Sequence, residues 1–398
     1  AVFLYNQGEI NSVLIIAPNS VTHNWLKEID ADSSAKGFKY LFRRDSFDYH
    51  LKDHINWYVM NVEALSHASG VKVAKRTKNI IKLTSKVKYK RGMTGSPTAK
   101  SPLDLYTQCE FLDPTLLGFT SYYSFRARYA VMRPITRDGF RQQMIPYGYQ
   151  NLSELWEKIK PFSYRKIKEN CLDLPPKVYM KRMLQMSTEQ MEVYNQLRKY
   201  ARAVIMDKEI SYTNKLTEIL RLHQVTSGFY KTDDGQIKSL KNPKITELCN
   251  IIDETEGKII IWANYLHNIH NILETLKKKF PEDRAVSIYG AVSVPDRDKA
   301  VVDFQTDKYT RFMVGNPATG GLGLNLTAAT TVIYFSNSYD LTLREQSEDR
   351  AHRKGQTKSV TYIDLIMQGT IDEFIIRALN KKKSMSAQVL GEEVLKFL

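Results

Sequence analysis

Apolar residues in the second half of the chain gather into short unbroken runs, and between the runs they recur every third or fourth position. The run Lys258-Ile259-Ile260-Ile261-Trp262 reads as a strand buried on both faces. After it, Leu266, Ile269, Ile272, Leu273 and Leu276 share one face of a helix. Residues 285–288 read as a second strand. Ser293-Val294-Pro295-Asp296 then supplies a helix start: a capping serine, a proline in the first turn and an acid at the positive end of the dipole. Residues 311–314, 332–335 and 360–366 read as three more strands, with a polar helical stretch over 341–352 between the last two. Strand alternating with helix predicts a parallel sheet covered on both faces.

The first third repeats this style less completely. Val13-Leu14-Ile15-Ile16-Ala17 is a buried-type strand closed by Pro18, with a helix expected over 23–29 and another strand over 57–60. Residues 89–93 lead into a loop at Thr94-Gly95-Ser96-Pro97. Between about 100 and 240 the pattern turns helical, with 152–159, 188–205 and 212–222 as the main candidates. Leu174-Pro175-Pro176-Lys177 reads as a hinge or as the lead into a strand. The 398 residues exceed what one compact core organises well. The expected class is therefore α/β, with parallel-sheet lobes at 1–165 and 242–398, the second carrying C-terminal helices, and a helical linking region at 166–241.

Composition sharpens this picture in one respect. The apolar share of 42% is that of an ordinary globular chain, and no run of apolar residues is long enough to span a bilayer. The net charge of +15, by contrast, creates an attractive potential for phosphate backbones or anionic surfaces. A basic enzyme with no polymer partner remains the alternative reading of charge alone. Cys109, Cys171 and Cys249 are far apart and form no CxxC, which argues against a disulfide framework or zinc site and fits an intracellular, reducing compartment.

The sharpest chemistry lies in Gln346-Ser347-Glu348-Asp349-Arg350-Ala351-His352-Arg353-Lys354-Gly355-Gln356. On a continuous helix Gln346, Arg350 and Arg353 would project from one face. Two arginines on one face invite a polyanion, unless Glu348 and Asp349 simply pair with them. Upstream lies Gly315-Asn316-Pro317-Ala318-Thr319-Gly320-Gly321-Leu322-Gly323-Leu324-Asn325-Leu326, where glycines after a strand let backbone N–H groups approach phosphate.

Together with Tyr289-Gly290 and Phe304-Gln305, these segments resemble the second motor lobe of superfamily-two ATPases. The wording from Asp349 to Gln356 is specifically similar to the Swi/Snf branch. Ile16-Ala17-Pro18 followed by Trp25 resembles the lobe-one motif that touches the nucleic-acid backbone, and Gly92-Met93-Thr94-Gly95-Ser96-Pro97 resembles the one linking hydrolysis to DNA contact. Leu174 to Lys177 looks like the family's crossing into the linker. The resemblance runs from the first residues to about 380, and the compact motif spacing is similar to bacterial or phage members.

The resemblance implies two RecA-like lobes, ATP and Mg2+ as cofactors, duplex DNA as the favoured partner and no membrane. It implies that Arg353 is the finger on the γ-phosphate, that Arg350 also reaches ATP, and that Gln346 orients nucleotide or arginine. Gly320, Gly321 and Gly323 would lie against the nucleotide, while Pro18, Thr94, Gly95, Ser96, Thr319 and Asn325 would contact DNA or couple to it. The location implied is intracellular, in cytoplasm or nucleoid, or in the host cytoplasm for a phage protein.

One departure stands out. A phosphate-gripping loop ends in Gly-Lys-Ser/Thr, and Gly257-Lys258, the one Gly-Lys pair, begins a strand instead. A magnesium-holding Asp-Glu-x-His is also absent. Either the chain is a motor core that binds DNA or a partner without hydrolysing ATP, or the protein carries these motifs outside the 398 residues. Residues 1–7 read as the tail of the helix that follows such a loop, and residues 67–76 read as a junction of two segments. The second expectation is therefore adopted. An RNA-directed relative is a third reading, which the Swi/Snf-like wording around Arg350 disfavours.

Overall fold

The computed structural model describes residues 7–10, 12–17, 38–40, 56–61, 74–94, 97–98, 101–137, 141–165, 173–206, 212–232, 234–320 and 324–389, with the single positions Leu4, Trp25 and Ile29. The chain divides into two compact units, Ala1–Thr94 with Thr107–Leu116, and Gly95–Tyr106 with Leu117–Leu398.

The first unit holds a parallel sheet of β1 (Ser12–Ala17), β2 (Phe38–Tyr40) and β3 (Asn56–Asn61) in the order β1-β3-β2. Val59 on β3 is fully buried and packs with Ile29, Ile15, Trp25 and Trp57. The helix expected over 23–29 is described only at Trp25 and Ile29, both helical. Pro18, which closes β1, and residues 67–73 of the expected junction lie outside the described residues. A helix follows at Ala74–Leu83. Beyond it the Glu9 carboxylate accepts from Lys88 Nζ at 2.8 Å and from the Tyr89 hydroxyl at 2.6 Å. Of the basic residues around this helix, Lys78, Lys82, Lys86 and Arg91 are exposed.

The second unit is built on six strands, β6 (Lys177–Leu184), β9 (Lys258–Trp262), β10 (Arg284–Ile288), β11 (Thr310–Gly315), β12 (Ala329–Tyr334) and β13 (Val360–Met367). They run in the order β10-β11-β9-β12-β13-β6, and every pairing is parallel. Because side chains alternate along a strand, each apolar run feeds two cores. Ile259, Ile261, Phe312, Val314, Ile333, Ile363 and Leu365 pack under the helices Pro243–Asp253 and Leu266–Lys279. Ile260, Trp262, Met313, Val332, Tyr334 and Tyr362 pack with Phe304 of the helix Val294–Thr306 and with Ala351. Ser293 caps that helix by accepting from the Asp296 amide, as its position predicts. At the end of β11 a side chain on Gly315 would bring a Cβ to 2.5 Å from the Ile288 carbonyl oxygen, so this close approach requires glycine.

Two hairpins correct the sequence reading. The region read as helical contains an antiparallel hairpin, β4 (Ala130–Arg137) with β5 (Arg141–Tyr149). Asp138-Gly139, a dipeptide favoured in hairpin turns, stands between the two runs in the sequence. Of the two readings of Leu174 to Lys177, the lead into a strand is the one observed: the segment enters β6, which forms the edge of the large sheet beside β13. A second short hairpin, β7 (Phe229–Lys231) with β8 (Ile237–Ser239), was also not anticipated. The helices Leu152–Ile159, Thr188–Met206 and Tyr212–Thr226 lie where the periodicity put them. In the helix Tyr122–Tyr129, Phe125 and Tyr129 are buried against Phe119, whereas Tyr122 and Tyr123 are exposed beside the Arg126 guanidinium. No helix among the described residues is long and apolar enough to cross a membrane.

A buried polar cluster ties the linking helices to this sheet. Lys244 Nζ lies 2.6 Å from Asp372 Oδ2, Thr226 donates to Asp372 Oδ1 at 2.7 Å, and His223 Nδ1 lies 2.8 Å from the Tyr265 hydroxyl. Burial, opposed by Asp372 and reinforced by Lys244, pushes the His223 imidazole down to about 4. An unfolded histidine takes up a proton as pH falls through about 6.5, while the folded one stays neutral to about 4. Stability from this residue is therefore complete above 6.5 and declines below it, by up to roughly 1.4 kcal/mol per pH unit. Denaturant midpoints at pH 7 and pH 5 should show wild type losing more stability on acidification than His223→Gln. Equal losses would remove His223 as the cause.

Candidate polyphosphate-facing arginine site

Between β11 and β12 the chain turns through Asn316, a short helix at Pro317–Gly320, and the segment ending at Leu326. The Asn316 side chain fixes the first turn, donating to the Asn264 carbonyl at 2.9 Å and accepting from the Ala318 amide at 2.8 Å. Thr319 is half-buried with its amide bonded to the Asn316 carbonyl at 3.0 Å, and Asn325 is exposed. The backbone of Gly320 closes the short helix, whereas Gly321 and Gly323 lie outside the described residues.

The segment Leu341–Ala351 is a helix, capped by Asp340, whose carboxylate accepts from the amides of Thr342 and Leu343. It stops two residues short of Arg353. His352 leaves helical geometry at ψ 84, and Gly355 follows at φ +99. The expectation that Gln346, Arg350 and Arg353 share one helical face is thus corrected, since Arg353 sits in the turn after the helix. The turn nonetheless returns its guanidinium to the same place. Arg350 Nη1 and Arg353 Nη1 both reach the Leu324 carbonyl, at 3.4 and 3.0 Å. Arg350 also donates to the Gln346 carbonyl at 3.0 Å, and the Leu326 amide donates to the Arg350 carbonyl at 3.0 Å. Gln346 contributes this backbone oxygen, and its half-buried side chain makes no hydrogen bond among the described residues.

The nearby acids serve other cations. Glu348 is buried and takes Arg344 Nε at 2.8 Å, Lys177 Nζ at 3.0 Å and the Tyr179 hydroxyl at 2.8 Å. Burial alone would raise its pKa, but Lys177 and Arg344 overcome this and hold it at about 2. Asp349 lies 3.6 Å from Lys177. Among the described residues neither Arg350 nor Arg353 forms an ion pair. Burial, with Arg353 as a like-charged neighbour, pulls the Arg350 pKa below its ordinary value, and Asp349 offsets part of this. Two crowded, incompletely neutralised guanidiniums beside a loop suit an anion of high charge.

Of the lobe-one candidates, Thr94 is exposed at the end of a stretch without regular secondary structure, while Pro18, Gly95 and Ser96 lie outside the described residues. Sequence reasoning missed Gln356 as part of this site. Its amide nitrogen lies 2.9, 3.0 and 3.2 Å from the carbonyl oxygens of Thr327, Ala329 and Ala351, stitching the loop to the end of the arginine helix. Gln305 supports the same loop, accepting from the Ala328 amide at 2.9 Å.

Two family models match the chain in succession, the SNF2-related domain over residues 48–231 and the helicase conserved C-terminal domain over 243–355. YwqA of Bacillus subtilis, provisionally named an ATP-dependent helicase/translocase, is 28% identical over 96% of this chain and 43% of its own length. The DNA annealing helicase and endonuclease ZRANB3 of Bos taurus is 27% identical over 82% of this chain and 29% of its own length. The chain thus spans less than half the length of these relatives. The Sulfolobus solfataricus SWI2/SNF2 ATPase core in complex with dsDNA is 25% identical, over 98% of this chain and 84% of that one, at a TM-score of 0.45.

Replacing Gln356 with alanine would leave those buried carbonyls short of a donor, at a cost of about 1–3 kcal/mol. Chemical denaturation of Gln356→Ala should show that loss, and an unchanged midpoint would mean the loop is held by other contacts.

Proposed function

This chain belongs to the Swi/Snf-type, SNF2-related family of superfamily two, and from that premise we propose that it forms the motor core of an ATP-driven DNA translocase acting inside cells on duplex DNA. The observation that carries the reading is the pair Arg350 and Arg353. They converge on the Leu324 carbonyl without an ion-pair partner among the described residues, inside the segment matched by the helicase C-terminal model. The arrangement fits the polyphosphate of ATP. Bound ATP would supply the γ-phosphoryl group whose transfer to water drives the motor between its two lobes. Arg353 is the finger that stabilises charge on the transferring oxygens, Arg350 neutralises charge beside it, and Gln346 orients nucleotide or arginine.

In this reading backbone N–H groups around Gly320, Gly321 and Gly323 would hold phosphate, while Thr319 and Asn325 would couple the loop to DNA. Pro18, Thr94, Gly95 and Ser96 make the corresponding contacts from lobe one. Lobe one runs to about residue 165 and lobe two starts near 242, with a linking region between them. Magnesium is the second cofactor of this reading, and no cluster of three His, Cys, Asp or Glu suited to a metal exists among the described residues.

The absence of a Gly-Lys-Ser/Thr loop from the 398 residues favours one rival, a clamp on the same fold that binds DNA or a partner without hydrolysis. DNA-stimulated ATPase assays on the full protein separate the two, since the clamp gives no turnover. In the motor, Arg353→Ala should lower turnover by about three orders of magnitude or more with DNA binding largely intact. Unchanged turnover would sink the finger assignment. DNA affinity should also fall steeply with salt, because phosphate contacts release counterions. A salt-insensitive affinity would count against tracking along the backbone.

A further inference from the structure

The segment Leu174-Pro175-Pro176-Lys177 has no part in the chemistry above, yet the arginine helix grips it at several points. His352 Nε2 lies 2.8 Å from the Pro175 carbonyl, and since a carbonyl only accepts, the imidazole donates from Nε2. Lys177 Nζ lies 3.0 Å from Glu348 and 3.6 Å from Asp349, and the Tyr179 hydroxyl donates to Glu348 at 2.8 Å. Glu348 and Asp349 immediately precede Arg350, and His352 immediately precedes Arg353. Side chains on both sides of Arg350, the second of them next to Arg353, are therefore tied to one short segment 169 to 177 residues away in sequence.

The chemistry of the segment favours transmission of movement over absorption. Consecutive prolines fix φ and bias the preceding residue to extended conformations, so the strut is stiff. The Lys177–Glu348 pair is sheltered, with side chains 24% and 7% exposed, which weakens solvent screening. At its far end the segment enters β6, which pairs with β13 from Lys177 to Leu184 and so is anchored to the sheet. We propose that Pro175 and Lys177 form a latch through which the segment leading into β6 sets the position of Arg350 and Arg353, making Lys177 a positioning residue for hydrolysis. The latch rests on the reading of Arg353 as the finger. It makes the lead into β6 a mechanical input, so that its displacement withdraws or advances the guanidiniums as a set.

The test pairs Lys177→Met with Lys177→Arg in the full protein, alongside Arg353→Ala. Hydrogen exchange follows the amides of Leu326 and Gln356, which donate to the Arg350 and Arg353 carbonyls. In Lys177→Met these amides should exchange about tenfold faster while those of β9 do not change. The kcat of the DNA-stimulated ATPase should fall about tenfold or more with little change in KM for ATP. Lys177→Arg should restore both. Unchanged exchange at Leu326 and Gln356 overturns the latch, and so does faster exchange with undiminished kcat. Faster exchange spread through β9 as well also overturns it, because it marks a merely structural role. Wild-type turnover in Arg353→Ala overturns the finger assignment instead, and leaves the exchange result to decide whether the segment holds the helix.

Discussion

A carboxylate taken out of water costs several kcal/mol unless its charge is matched and its lone pairs are filled, and the second unit buries Glu348 almost completely. Its two oxygens draw Arg344 from its own helix, one turn back, and Lys177 and Tyr179 from the edge strand β6. Arg344 in turn reaches Asn337 and Asp364 and lies over the Tyr334 ring at 3.5 Å. One buried charge thus fixes the helix against three strands. With its pKa held near 2, Glu348 stays ionised throughout the physiological range, so the anchor is permanent rather than pH-switched.

This anchor also explains why Arg350 and Arg353 form no ion pair among the described residues. Glu348 and Asp349 stand beside them in sequence, and on a bare helix they would be the natural partners. Lys177, supplied by β6, takes both acids instead. The two guanidiniums are left to crowd each other, and among the described residues backbone carbonyls receive their N–H groups.

What the sequence disclosed follows the same physics. The strands β9, β11, β12 and β13 are legible because both of their faces are buried, which leaves unbroken apolar runs with no competing periodicity. β6 is not legible in this way. As an edge strand it exposes Val178, Tyr179 and Met180, so its composition mixes apolar and charged residues, and only the proline pair hinted at a strand. The hairpin of β4 and β5 was hidden for a related reason, because Arg133, Pro134 and Pro146 interrupt the alternation on either side of Asp138-Gly139. At the candidate site, residue types and spacing singled out Gln346, Arg350 and Arg353. Helical periodicity, extended past Ala351, put Arg353 on the helix, whereas the turn after the helix brings its guanidinium to the Leu324 carbonyl that Arg350 also reaches. The loop glycines Gly321 and Gly323 and the lobe-one residues Pro18, Gly95 and Ser96 lie outside the described residues, so geometry adds nothing to them.

Lys177 could not have been read as a partner of Glu348 from spacing, because 171 residues separate them and ion pairs carry no periodicity. That long separation is itself informative. A pair that served only to satisfy a buried acid could come from the helix's own turn, as Arg344 already does at four residues' distance. Adding a second cation from the stretch that leads the chain into the sheet costs ordering of a long side chain and desolvation of its charge. What it contributes beyond charge balance is connection, because the acid that holds the arginine helix becomes the acid that holds the incoming strand. The same logic applies to His352, whose Nε2 donates to Pro175, a residue that has no backbone N–H and offers only its carbonyl. One tie is made two residues before Arg350 and the other immediately before Arg353. Their placement is better accounted for by a need to fix Arg350 and Arg353 relative to the entering chain than by the stability of the helix alone.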